Sequence, residues 1–149
     1  MHSCASETLT LTVLNRPPDC SRAAPSISLI WPPNHQMVPV SVQKVSDADD
    51  DPRSLTITSI RQDEPVNDIA DGNTTADGAG MGTSTAMVRA ERSGSPRNPG
   101  NGRVYHIGFT ADDGNGGTCS GVVRVGVPHD RGGQSSPLDD GPLYDSTTR

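Results

Sequence analysis

Apolar side chains recur at every second position along much of this chain, in short runs cut off by proline and glycine, and that rhythm leaves few folds open. In residues 7–14, Leu9, Leu11 and Val13 share one face and Thr8, Thr10 and Thr12 the other, until Asn15-Arg16-Pro17-Pro18-Asp19 ends the run. Ile27, Leu29 and Trp31 repeat the alternation ahead of a rigid Pro32-Pro33-Asn34-His35 turn, which places Trp31 in the core. Val38, Val40 and Val42 follow, with Pro39 on the opposite face, as suits a sheet edge. Leu55, Ile57 and Ile60 slip by one residue near Ser59, the sign of a bulge. Met87–Arg92 reads as a strand with a charged outer face. Tyr105, Ile107 and Phe109 alternate next, then Asp112–Gly117 makes a strong turn signal, and Val123, Val125 and Val127 close the set before Pro128. No segment carries a helical period. The pattern predicts an all-β sandwich of about seven strands with Greek-key connections and an extra N-terminal strand.

At 149 residues the chain fits one domain with tails. Residues 1–18 are an N-terminal strand and Pro-rich linker, 19–130 the sandwich, and 131–149, rich in Gly, Ser, Asp and Pro, a flexible C-terminal tail. Residues 63–84 are polar and Gly-rich and read as one long loop. Cys4 opens an alternating run that exits at Pro17-Pro18-Asp19, and Cys119 opens another that exits at Pro128-His129-Asp130. The first segment therefore reads as the last strand of a preceding copy of the module, or as a strand given to a neighbour. The alternative is that it is the first strand of its own sandwich.

Hydrophobic residues are 31% and aromatic residues 3% of the chain, so the core rests on Val, Ile and Leu and is thin. A thin core calls for a disulfide, a metal ion or a neighbouring chain. The net charge of −6, without a basic stripe or stacking aromatics, argues against nucleic acid as a partner. No apolar run approaches the roughly 18–20 residues that span a bilayer, and Met1-His2-Ser3-Cys4 lacks the apolar stretch of a secretion signal. Cys4, Cys20 and Cys119 form no C-x-x-C pair, so a disulfide between two of them, with one left over, is simpler than a zinc site. Three buried free thiols are the other reading.

The stretch from Tyr105 to Cys119, with Thr110-Ala111-Asp112-Asp113-Gly114-Asn115, resembles the penultimate strand and turn of hyalin-repeat and bacterial immunoglobulin-like modules. Trp31-Pro32-Pro33-Asn34-His35, Arg89-Ala90-Glu91-Arg92 and Gly102-Arg103-Val104-Tyr105 are also similar to blocks of such repeats, and the resemblance covers roughly residues 19–130. It implies an extracellular immunoglobulin-like Greek-key β-sandwich used in adhesion, spacing or matrix building, and a disulfide between the positions of Cys20 and Cys119. That bond would close a loop of about 100 residues, worth roughly 4–5 kcal/mol in the chain-entropy model. Cys4 then stays free or bonds to another subunit.

Among candidate sites, Asp68, Asp71, Asn73 and Asp77 supply hard oxygens on a loop with Gly72, as calcium requires, and Asp49 and Asp51 form a weaker set. Neither follows an EF-hand order, and a solvated acidic loop explains them equally. Asn73-Thr74-Thr75 matches a glycosylation sequon. The four histidines sit in no catalytic motif, and His35 is expected to hold its turn. Asp63 and Glu64, adjacent on a strand end, point to opposite faces and make no acid–base pair. The expected role is thus a non-catalytic, secreted or cell-surface structural and adhesive module. It would self-associate or join neighbouring modules, as a fibre subunit that donates Leu9, Leu11 and Val13. The alternative is a carbohydrate-binding accessory module of a secreted hydrolase, with Trp31 as the glycan platform.

Overall fold

In the computed structural model, residues 14–49, 53–66, 76–93, 100–129 and 137–148 are described. The two-residue rhythm becomes two four-stranded antiparallel sheets, and no helix occurs among the described residues. One sheet has the order β1 (Ala24–Pro25), β2 (Met37–Gln43), β5 (Thr85–Arg89), β4 (Gly78–Ala79). The other runs β7 (Thr118–Val127), β6 (Arg103–Asp112), β3 (Ser54–Gln62), β8 (Tyr144–Asp145).

The inward faces are those the alternation names. Val40 and Val42 of β2, Ile57 and Ile60 of β3, Tyr105, Ile107 and Phe109 of β6, and Val123, Val125 and Val127 of β7 are buried and form one cluster with Ala86 and Val88 of β5. Burying one such aliphatic side chain is worth about 1.5–3 kcal/mol, so even a lean set of this kind can drive two sheets together. The pairing of β3 with β6 shifts between Ile57 and Ser59, so the bulge is real, and it keeps Ile57 and Ile60 on one face despite their odd spacing. Pro39 is exposed, and β1 meets β2 only at Val42 and Gln43, so Pro39 lies where that flank of β2 has no strand. In the β6–β7 hairpin Asp113 Oδ1 accepts from the N–H of Asn115 at 2.8 Å and of Gly117 at 2.9 Å, while Gly114 and Gly116 take positive φ.

Cys20 and Cys119 are disulfide-bonded, with a Cα–Cα distance of 5.9 Å. The bond ties the segment entering β1 to the start of β7, and so one sheet to the other.

Four expectations need correction. Ile27, Leu29 and Trp31 lie on the outside, 37–39% exposed, while Ile30 is the buried residue of that segment. Glu91, expected on a charged outer face, is fully buried, just beyond the end of β5. Residues 63–84 are not one open loop: Asp63, Glu64 and Asp77 are buried and Gly78–Ala79 is a strand. From Pro137 onward the expected tail returns to the sandwich. Pro137 packs over Gly126 and Gly102, Leu138 N donates to Asn101 O, and β8 pairs with β3. The extra strand with Cys4, Leu9, Leu11 and Val13, and the candidate ligands Asp51, Asp68, Asp71 and Asn73, lie outside the described residues.

Candidate functional site

Three places carry chemistry. The first is the entry to the sandwich. Asn15 Nδ2 donates to Asp113 Oδ2 at 2.8 Å and to Asn115 O at 3.3 Å. Arg16 grips Asp49 with its backbone N–H at 2.9 Å and its guanidinium at 2.6 Å. Pro18 is buried, and Asp19 and Ser46 exchange backbone hydrogen bonds. Hydrogen bonds from Asn15 and the hairpin amides hold the Asp113 carboxyl below the ordinary range, and those from Arg16 do the same for Asp49. The segment predicted as a linker is thus fastened by Asn15 to the β6–β7 hairpin and by Arg16 to the loop after β2. Asp49, one of the calcium candidates, spends its carboxylate on Arg16.

The second place is a buried ionic cluster. Arg103, fully buried at the start of β6, donates Nε to Glu64 Oε1 at 3.0 Å and Nη1 to Asp77 Oδ2 at 2.9 Å, and lies 3.5 Å from Glu91 Oε1. Arg89 Nε approaches Asp77 Oδ1 at 3.7 Å, and Gln62 Nε2 donates to Asp77 Oδ2 at 2.9 Å. Tyr105 donates its hydroxyl to Arg89 O at 2.7 Å and accepts from Arg103 Nη1 at 3.1 Å. His35 closes the cluster at the surface, with Nδ1 2.9 Å from Glu91 Oε2 and with positive φ.

Three carboxyls, Glu64, Asp77 and Glu91, thus face two guanidiniums. Glu91 lies beside Asp77 in the same buried cluster and disfavours its charge. Burial, then the contact with Glu91, pushes the Asp77 carboxyl up to about 7, against the pull of Arg103. Burial raises Glu64 and Asp63 as well. Burial opposes the charge on Arg103, but Tyr105, Asp77 and Glu64 outweigh it and the guanidinium stays charged. Asp77, the described member of the main calcium set, is therefore committed to this cluster and not to an open loop. Among the described residues no three His, Cys, Asp or Glu side chains gather as a metal site. Asp63 and Glu64 diverge as expected: Asp63 accepts from Val104 N and Asp140 N, Glu64 from Arg103 and Ser93 N.

The cluster escaped the sequence analysis, although a signal was present. Arg103 shares its parity with Tyr105, Ile107 and Phe109, and past the bulge Gln62 shares its parity with Ile60. The period itself assigns both to the interior. Their partners Asp77 and Glu91 fall in irregular backbone, where no period operates.

The third place is the surface beside β7. Gly126 N donates to Ser28 O and Ile30 N to Gly126 O, both 2.9 Å, in a parallel bridge centred on Leu29. Next to it, Ser28, Leu29, Val104, Arg124, Pro137 and Asp139 line a shallow open groove, across which Asp139 holds His106 Nε2 at 2.8 Å.

No protein-family model, curated protein or solved structure matches the chain. No helix among the described residues is long and apolar enough to cross a membrane.

Proposed function

We propose that this chain is a non-catalytic structural and adhesive module of an extracellular protein, joined to its neighbours through its N-terminal segment. The observation that carries this is the fastened entry. Asn15 anchors the chain to the β6–β7 hairpin and Arg16 to the loop after β2, so the described chain begins at a fixed point, as a connection between rigid modules requires. The core of the described residues is already filled by side chains from both sheets, and the apolar face of Leu9, Leu11 and Val13 needs burial of its own. A neighbour's sheet edge offers that burial, and head-to-tail donation of this kind produces filaments.

Support for an immunoglobulin-like reading comes from the strand order. With β1, β2, β5 and β4 as A, B, E and D, and β3, β6 and β7 as C, F and G, the pairings are those of constant-type immunoglobulin domains. The disulfide suits an oxidising compartment. The resemblance to hyalin-type repeats agrees with both. Light scattering on the full chain and on a chain lacking residues 1–13 tests the proposal. Assemblies are expected only with the segment present, and equal size of the two would refute it.

A carbohydrate-binding role has one observation in its favour, the 38% exposure of Trp31. Glycan-array binding that is lost in Trp31→Ala would establish it.

A further inference from the structure

The parallel bridge that fixes Leu29 against Gly126 also fixes which way the backbone points. Ser28 O and Ile30 N are used on β7, so in extended backbone the N–H and C=O of Leu29 point away from it, and those of Ile27 and Trp31 follow the same alternation. Among the described residues no hydrogen bond engages the backbone of Ile27, Leu29 or Trp31. The side chains of the same three residues stand on the surface.

Sheet edges of natural proteins are kept from pairing by charge, proline, bulges or brevity. The other short edges of this sandwich follow the rule, and β7, ten residues long and bridged by Leu29 at Gly126, carries the charge of Arg124. Pro39 stands on the flank of β2, β4 and β8 are two residues long, and Ile57 of β3 is engaged by Thr83 O and Gly82 N. The segment Ile27–Trp31 holds no charge, and Pro32 follows it only at its end.

We infer that this edge is the acceptor for the alternating segment at residues 7–13 of a second copy of the chain, which adds to it as a strand through the outward backbone of Ile27, Leu29 and Trp31. The inference rests on the proposed N-terminal donation and names its receiving surface. A second copy is required by reach. Asn15 lies against Gly117, at the start of β7, whereas Leu29 pairs with Gly126. Nine residues of strand separate Gly117 from Gly126, about 30 Å, while the six residues from Asn15 back to Leu9 span at most about 20 Å. The apolar face of the segment therefore cannot reach Leu29 of its own chain. Donation from one copy to the next is open-ended, so it propagates.

Two measurements on the full, oxidised chain test this. Leu29→Glu places a charge on the edge at an exposed position, and light scattering should show multimers reduced to monomers at unchanged far-UV circular dichroism, with Leu29→Val keeping them. In a Cys4→Ser background, Leu11→Cys together with Leu29→Cys should give a ladder of disulfide-linked multimers on a non-reducing gel. Multimers that survive Leu29→Glu but vanish on deletion of residues 1–13 would leave strand donation standing and overturn this acceptor. A monomeric product in which the two introduced thiols are linked within one chain would overturn donation in trans. A monomer in every form, including one whose Trp31 fluorescence responds to an oligosaccharide, would overturn both the acceptor and the donation it rests on.

Discussion

Replacing Asp77 with Asn should stabilise this protein at alkaline pH, although it removes a fully buried residue of an ionic cluster. The proton that burial keeps on Asp77 is the reason. In the folded chain Asp77 takes up its proton near pH 7, against an ordinary carboxyl value of 3.8. Between those values the folded state binds a proton that the unfolded state has released, so stability falls as pH rises. The contribution is complete below the unfolded value and gone above the folded one. At about 1.4 kcal/mol per pKa unit the whole shift is worth about 4 kcal/mol, of which about 2–3 kcal/mol disappears between pH 5 and pH 8. Glu64 and Asp63, also raised by burial, change stability in the same sense. Asn reproduces the neutral acid, and its carbonyl can take the bonds from Arg103 and Gln62. Urea unfolding followed by far-UV circular dichroism at pH 5 and pH 8, on parent and variant, measures the effect. The parent should lose about 2–3 kcal/mol over this interval, and Asp77→Asn distinctly less. A parent flat in pH, or a variant that loses as much as the parent, would refute the proton on Asp77.

Further outcomes follow from the same geometry. Arg103→Met leaves Glu64, Asp77 and Glu91 buried without their central cation and should cost about 3–5 kcal/mol, more at pH 8 than at pH 5, in the same urea titrations. Cys119→Ser opens a loop whose ends lie 99 residues apart and should cost roughly 4–5 kcal/mol, read as an earlier thermal transition than that of the oxidised parent. Asn15→Ala removes the bond to Asp113 and should cost only about 1 kcal/mol in global stability, while amide exchange at Gly117 and Asn115 quickens. Below about pH 4 stability should fall for an opposite reason. Asp19, Asp49, Asp113, Asp139 and Asp145 all have lowered values in the folded chain, so their contributions are present above the ordinary carboxylate range and lost on acidification.

Much of the fold was legible because strand periodicity is a local property. The inward faces of β2, β6 and β7, the slip at Ser59 and the turn at Asp112–Gly117 each depend on residues close together in the chain. The same rule failed for Ile27, Leu29 and Trp31, which alternate as a core strand does. Ile30 takes the interior in their place, because this segment leaves β2 after Ser26 and crosses to β7, and the crossing turns its other face inward. Alternation identifies two faces and is silent on which one meets the second sheet.

From the sequence alone came the all-β character and the thin aliphatic core, since both follow from spacing and composition; the resemblance to hyalin-type repeats added the pairing of Cys20 with Cys119. Tertiary structure alone decided that Glu64, Asp77 and Glu91 join Arg103 inside. Glu64, Asp77, Glu91 and Arg103 come from segments up to 39 residues apart, and a charge can be buried only where other segments bring its partners. The return of residues 137–148 onto the sheet was decided in the same way. A Gly- and Pro-rich stretch has no strong local preference, so its place is set by what it meets: Asp63, His106 and the open side of β3.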